Sequence, residues 1–218
     1  MSTPKVTLYF DIISPFAYIA FHVLKHSPTF SKCEVTYVPI LLGGLFQLCG
    51  NQPPLNIKNK NKWIDNERNR WARRFSVPIC ATPPPGFPQS TVTVQRALSV
   101  VAHKTPEKLP AAIEAIYHSF WVQSNSEIGK VEGFKPVLEG VLGEQVTREV
   151  LEAITQAEMK ALLPTNTQRA FDAGAFGLPW FECTNAAGEQ QCYWGVDNLE
   201  DVAGFLGLER GRDPKPLL

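Results

Sequence analysis

The amino-acid sequence predicts an α/β fold in which a mixed four-stranded sheet is assembled from the two ends of the chain, with a large α-helical insertion between them. Three observations carry this expectation. A strand, helix, strand pattern occupies residues 6–40; helical periodicity with little β signal runs from Gly43 to about Ala173; and a strand, turn, strand, helix pattern closes the chain.

Val6, Leu8 and Phe10 alternate with Thr7 and Tyr9, the period of two that puts one face of a strand in the core. Ser14-Pro15 follows, a favoured N-cap and a favoured first helical residue, and Phe16, Ile19, Ala20, Val23 and Leu24 then recur on one helical face. His26-Ser27-Pro28 ends that helix, and Glu34–Ile40 is again β-rich, which makes a parallel βαβ unit. Helical patterns then cover Lys58–Phe75, Gln89–Ala102, Glu107–Gln123, Val131–Leu142 and Thr147–Leu162, with a proline-rich loop at 82–88. Pro179–Thr184 and Glu189–Trp194 read as strands around a four-residue turn ending in Gly188. Asp197 to Glu200 offers a helix cap, and Val202, Phe205 and Leu206 fit a helix ending at Gly207. Joined across the insertion, βαβ and ββα give the thioredoxin-like architecture. The expected division is a discontinuous thioredoxin-like domain of residues 1–42 and 174–218 around an inserted α-helical domain of residues 43–173.

Composition narrows the function classes. The 218 residues are 44% hydrophobic and 19% charged, with 21 basic and 21 acidic side chains, so no net charge draws the chain toward nucleic acid or an anionic membrane. The longest apolar stretch, Ile12–Leu24, is too short to span a bilayer and is broken by Ser14, Pro15 and His22, and the first residues lack the pattern of a secretory signal. A soluble chain is expected. Cys33, Cys49, Cys80, Cys183 and Cys192 are odd in number, form no Cys-x-x-Cys and pair with no histidine at metal-ligand spacing, so free thiols in a reducing compartment and no metal are expected.

In this architecture the reactive position lies where the first strand meets the first helix, because the helix N-terminus presents unpaired N–H groups and a positive dipole end. That position is Ser14. The turn reads Ser14-Pro15-Phe16-Ala17 where redox members carry Cys-Pro-x-Cys, so disulfide chemistry is excluded there. Two readings of the hydroxyl stay open: a helix cap alone, or a donor to a bound thiolate. Lowering a thiol pKa from ~8.5 to ~6.5 raises the ionised fraction at neutral pH from about 3% to about 75%, for ~2.7 kcal/mol. Because nucleophilicity falls with basicity, roughly eightfold of that roughly 25-fold gain is lost, and proximity to the electrophile must supply most of the rate. A serine-hydrolase reading fails, since Ser14 lies in no Gly-x-Ser-x-Gly turn and no histidine is evident as its base. His22 and His26, four apart on one helix, lack a third ligand.

Four segments together resemble the kappa-class glutathione transferases and the bacterial 2-hydroxychromene-2-carboxylate isomerases, a DsbA-like branch of the thioredoxin superfamily. They are Phe10-Asp11-Ile12-Ile13-Ser14-Pro15-Phe16, Gly50-Asn51-Gln52-Pro53-Pro54, Gly174 to Pro179, and Gly195-Val196-Asp197. The resemblance spans nearly the whole chain. It implies that glutathione is a co-substrate, that Ser14 is catalytic and hydrogen-bonds its sulfur, and that Pro15 and Phe16 flank it. It further implies that Leu178, ahead of a cis Pro179, pairs its backbone with the cysteinyl unit. Asn51 and Lys60 would then lie along the tripeptide, with Lys60 at the glycyl carboxylate, and Val196 and Asp197 would hold the γ-glutamyl end. Two departures are visible: Val196 stands where these enzymes usually have serine, and Phe16 where many have tyrosine.

Three functions follow from the resemblance and the cleft it implies. The first is conjugation of glutathione to small hydrophobic electrophiles in detoxification, the second glutathione-dependent cis–trans isomerisation, and the third a thiol-peptide binding module without turnover. A homodimer is implied as well, with Glu67 a candidate to reach the partner's site. The segment Asn56–Phe75, with seven cations against two acids and Trp63 and Trp71 interleaved, is read as attracting anionic glutathione or as a solvated face rather than as a nucleic-acid surface. Cytosol is the default location and mitochondria or peroxisomes follow from the resemblance, although the C-terminal Pro216-Leu217-Leu218 is not a Ser-Lys-Leu address.

Overall fold

The computed structural model describes residues 2–208; the C-terminal tripeptide considered above lies outside the described residues. Strand β1 (Lys5–Phe10) runs into helix α1 (Pro15–His26), and a short 3-10 turn leads to β2 (Glu34–Pro39), which pairs parallel with β1 in the register Val6 to Val35 and Leu8 to Tyr37. At the other end β3 (Trp180–Thr184) and β4 (Gln190–Trp194) form a hairpin whose β3 lies antiparallel to β1, giving the order β2-β1-β3-β4. The mixed four-stranded sheet is the predicted one.

Between β2 and β3 come α2 (Leu42–Cys49), α3 (Lys60–Arg74), α4 (Val92–Lys104), α5 (Leu109–Tyr117), α6 (Val131–Leu142), α7 (Glu144–Ala153) and α8 (Ala157–Asp172), and α9 (Leu199–Phe205) follows β4. The expected single helix at 147–162 is two. Thr155 and Gln156 close a turn on the carbonyls of Glu152 and Ala153, and because Val150 and Ile154 bury the same stripe that Met159 and Leu163 continue, the periodicity hides the break. Helix α8 then runs through Pro164 to Asp172. Helix α2, with two glycines and no side-chain cap, was not expected from sequence.

Several side chains fasten the insertion to the ends of the first two strands. Gln95 of α4 donates from Nε2 to the carbonyls of Phe10 (3.0 Å) and Ile40 (2.7 Å), bracing β1 against β2 where both strands end. Asn166 of α8 donates to Pro39 O at 3.1 Å, and Thr167 Oγ1 accepts the N–H of Leu41 at 3.0 Å. A π-helical turn at His118–Val122 extends α5 and carries Trp121, whose Nε1 donates to Ile12 O at 2.8 Å. Buried polar bonds of this kind fix geometry, because each unmade bond would leave a desolvated group. No helix among the described residues is long and apolar enough to cross a membrane, and the five cysteines are free thiols.

Candidate active site

The sheet register decides what meets what. Tyr9 of β1 lies opposite Trp180 of β3, which lies opposite Trp194 of β4, so one further step brings three chain segments to the same edge. These are the turn from β1 to Ser14, the Leu178-Pro179 dipeptide entering β3, and Gly195-Val196-Asp197 leaving β4. Gly195 N–H donates to Pro179 O at 3.1 Å, tying the last two, and the turn at Val196–Asn198 touches α1. Four segments that resemble the family therefore supply three to one place.

Ser14 caps α1. Its φ of −87° and ψ of 112° are extended, its Oγ accepts the N–H of Ala17 at 3.2 Å, and Pro15 takes the first helical position. The side chain is only 5% exposed, and among the described residues nothing accepts its hydroxyl proton. The cap therefore leaves the hydroxyl proton uncommitted among the described residues: an oxygen lone pair serves the helix, and the O–H remains able to donate. Pro15 is buried, and Phe16 is half-buried against the core.

The Leu178-Pro179 bond is cis, as the resemblance implied. Leu178 buries its side chain, while its peptide N–H and C=O find no partner among the described residues. Such a pair of groups offers an extended peptide one donor and one acceptor. Val196 is also buried, so this position presents its peptide N–H and not its side chain. Asp197 is exposed, with no ion pair or hydrogen bond to its carboxylate among the described residues, and it does not cap α9. Its Oδ1 is folded over Gly195, where any Cβ would collide with it.

Asn51 stands at the far side. It follows α2 after Gly50, which adopts φ +68°, and its Nδ2 donates to Phe176 O at 3.0 Å while its Oδ1 accepts Gln52 N–H at 2.8 Å. Both ends of its amide are committed within the chain, so it ties the loop after α2 to the loop that carries Leu178. Lys60 opens α3, is exposed, and has no acidic partner among the described residues. Glu67 is buried and paired with Arg70 of its own helix rather than projecting outward. Arg68, counted from sequence among the solvated cations, is 1% exposed: it bonds Asp65 and the carbonyls of Cys80 and Ala81 and lies over Trp121. His26 contacts Glu114 at 2.7 Å, and burial lowers the pKa of His22. No group of three or more His, Cys, Asp or Glu side chains among the described residues is placed to hold a metal ion.

Two features escaped the sequence reading. Phe176 (42% exposed) and Trp194 (47% exposed) lie with ring centroids 4.9 Å apart beside the Leu178 turn, and a Cβ on Gly177 would come within 2.8 Å of Trp194 Nε1. The glycine is what lets the indole cross the backbone there. The other feature is Asp11, fully buried, with Thr91 Oγ1 donating to its carboxylate at 3.1 Å. Burial pushes its carboxyl up to about 6, although the N–H and O–H groups around it act in the opposite direction. For Asp11 the one signal in the sequence was its place three residues before Ser14.

Known proteins resemble the whole of this arrangement. The chain is 27% identical over 220 residues to glutathione S-transferase kappa 1 of Caenorhabditis elegans, covering 98% of this chain and 93% of the relative. It is 26% identical over 212 residues to 2-hydroxychromene-2-carboxylate isomerase of Sphingobium xenophagum, covering 94% and 98%. Among solved structures, a 2-hydroxychromene-2-carboxylate isomerase superposes with a TM-score of 0.76 at 19% identity over 93% of this chain and 94% of that one, a likeness of fold. The family model of the DSBA-like thioredoxin domain matches residues 5–207, and the chain belongs to that family.

Proposed function

We propose that the protein is a glutathione transferase of the kappa type. Glutathione lies across the edge of the sheet, its sulfur held as thiolate at Ser14, and the thiolate attacks a small hydrophobic electrophile. The observation that carries this reading is that, among the described residues, the Ser14 proton at the positive end of α1 is uncommitted and the N–H and C=O of Leu178, which the sheet register sets beside that turn, have no partner. Donation from Ser14 and the helix terminus stabilises the charged sulfur more than the neutral thiol, and so favours ionisation. The sulfur lone pair forms the new S–C bond, and the electron pair displaced from carbon leaves with the departing group or moves to the neighbouring acceptor atom.

The remaining residues supply the ends of the tripeptide. Leu178 pairs with the cysteinyl unit, Asp197 receives the γ-glutamyl ammonium, and the N–H groups of Val196 and Asp197 take its carboxylate. Lys60, exposed and without an acidic partner among the described residues, suits the glycyl carboxylate. Asn51 shapes this end by holding Phe176 rather than by offering a free amide. The assembly in this reading is a homodimer, which sedimentation of the purified chain checks.

The experiment is a calorimetric titration with reduced glutathione followed by a conjugation assay with an activated aryl halide, on the wild type and on Ser14→Ala. Binding with turnover, and a fall of at least about tenfold in kcat/KM for Ser14→Ala with a raised pKa of the bound thiol, is the expected result. Full activity in the variant refutes the role of Ser14, and binding without turnover selects the non-catalytic module. A second reading, glutathione-dependent isomerisation in which the same thiolate adds and then leaves, is favoured by the similarity to the Sphingobium xenophagum isomerase over almost its full length. Product analysis with a cis-configured aromatic enone separates it from conjugation.

A further inference from the structure

The chain buries a carboxylate at Asp11 with no cation beside it among the described residues. Oδ1 accepts the N–H of Ile13 at 3.1 Å, inside the turn that leads to Ser14. Oδ2 accepts the N–H of Leu42, first residue of α2, at 2.9 Å, and the hydroxyl of Thr91, just before α4, at 3.1 Å. Its peptide carbonyl accepts the N–H of Ser14 at 3.0 Å and the hydroxyl of Tyr117 at 3.4 Å. An ionised carboxylate accepts at both oxygens, and the groups aimed at it here, two peptide N–H groups and the Thr91 hydroxyl, donate; an amide or a protonated acid puts a donor of its own at one of those positions. The surroundings are therefore built for the anion, despite its desolvation.

The elements joined in this way are the two sides of the site. One bond set holds the Ser14 turn. The other holds the start of α2, whose far end leads through Gly50 to Asn51, and Asn51 holds Phe176, two residues before Leu178. We infer that Asp11 is a positioning residue: its carboxylate sets the Ser14 turn against α2 and α4 and so fixes the separation between the Ser14 hydroxyl and the Leu178 backbone. The inference rests on the proposed role of Ser14 for its effect on turnover.

Asp11 acts as the anion, and protonation replaces one acceptor oxygen by a donor among donors. The groups that contact it from elsewhere in the chain are Thr91, just before α4, Leu42 of α2 and Tyr117 of α5, of which Tyr117 alone titrates, and burial holds it well above its ordinary range. Among the described groups in contact with Asp11, no other changes charge as Asp11 takes up its proton near pH 6.

The test compares wild type, Asp11→Asn, Ser14→Ala, the double variant, Thr91→Val and Thr91→Ser. Asp11→Asn is expected to melt cooperatively, to exchange the amides of Ile13 and Leu42 faster, to reduce the acid limb of the kcat/KM profile to the single ionisation of the glutathione thiol, and to lower kcat/KM by about tenfold. Because Asp11 works through Ser14, the double variant should be no slower than Ser14→Ala within about twofold. Thr91→Val, which keeps the carboxylate and removes one donor to it, should move the acid limb toward neutral pH, and Thr91→Ser should restore it. An unchanged profile in both Asp11→Asn and Thr91→Val, or losses that multiply in the double variant, overturns the inference. Should Asp11→Asn fail to fold, the Thr91 pair decides alone. If the wild type binds no glutathione, the proposed function falls while amide exchange still judges the link: faster exchange at Ile13 and Leu42 in Thr91→Val supports it, and unchanged exchange overturns it.

Discussion

The peptide N–H of Gly195 donates to the carbonyl oxygen of Pro179 at 3.1 Å, one step beyond the last ladder pair of the hairpin, Trp180 with Trp194. That bond continues the β3–β4 pairing past the sheet and locks the turn bearing Asp197 to the residue that follows Leu178. Gly195 adopts φ +94°, and the Asp197 carboxylate lies over it.

Gly195→Ala is therefore expected to do two things. An alanine at φ 94° and ψ 152°, a region essentially confined to glycine, costs about 1–3 kcal/mol, and its Cβ displaces the Asp197 carboxylate, which should weaken glutathione binding about tenfold if that carboxylate holds the ligand's ammonium. Gly188→Ala is the control, with φ +86° and open space around its Cβ. It should lower the melting temperature, by no more than Gly195→Ala does, with unchanged affinity. Thermal melts and calorimetry on the two variants separate strain from site.

Asp11 gives stability and activity opposite responses to pH. Its folded pKa, about 6, lies above the ~3.9 of an unfolded aspartate, so its contribution to stability is fully present below pH ~4 and is lost as pH rises through about 6. The difference is on the order of 3 kcal/mol. Melting temperature against pH for wild type minus Asp11→Asn should fall between pH 4 and 7, while the acid limb of activity rises over the same interval. A difference curve that climbs with pH would contradict the assignment.

Arg68→Met should destabilise by about 3–5 kcal/mol, because it strips the carbonyls of Cys80 and Ala81 and the carboxylate of Asp65 of a buried donor. Arg68→Lys should recover little, since one ammonium cannot span three acceptors set for a planar fork. Urea unfolding of both variants reads this directly.

Asn51→Asp should impair glutathione binding more than Asn51→Ala. Alanine merely frees the carbonyl of Phe176, whereas a carboxylate cannot donate to it and repels both that oxygen and the glycyl end of an anionic ligand. The expected losses are roughly threefold for alanine and tenfold or more for aspartate, with melting temperatures nearly unchanged, read by titration at two salt concentrations.

Local pattern determined much of this protein. Alternation in Val6 to Phe10, the Ser14-Pro15 start of α1 and the periodicity of Val131–Leu142 each specify their element from neighbours a few residues apart, and the structure places these three where the sequence predicts them. The chemistry open to Ser14 was equally legible, since a hydroxyl at a helix start is a local fact. What the sequence could not reveal depends on partners far away in the chain. Helix α2 has weak intrinsic signals and begins where Asp11, 31 residues earlier, accepts its first N–H. Arg68 looks like a surface cation until the 80–81 carbonyls close over it. The carboxylate of Asp11, 80 residues from the Thr91 hydroxyl it accepts, acquires its burial and its altered proton affinity only once strand, turn and insertion are packed together. Periodicity reports which face of an element is dry; only the assembled fold decides which polar groups meet inside it, because desolvation and hydrogen bonding depend on distance in space rather than on spacing along the chain.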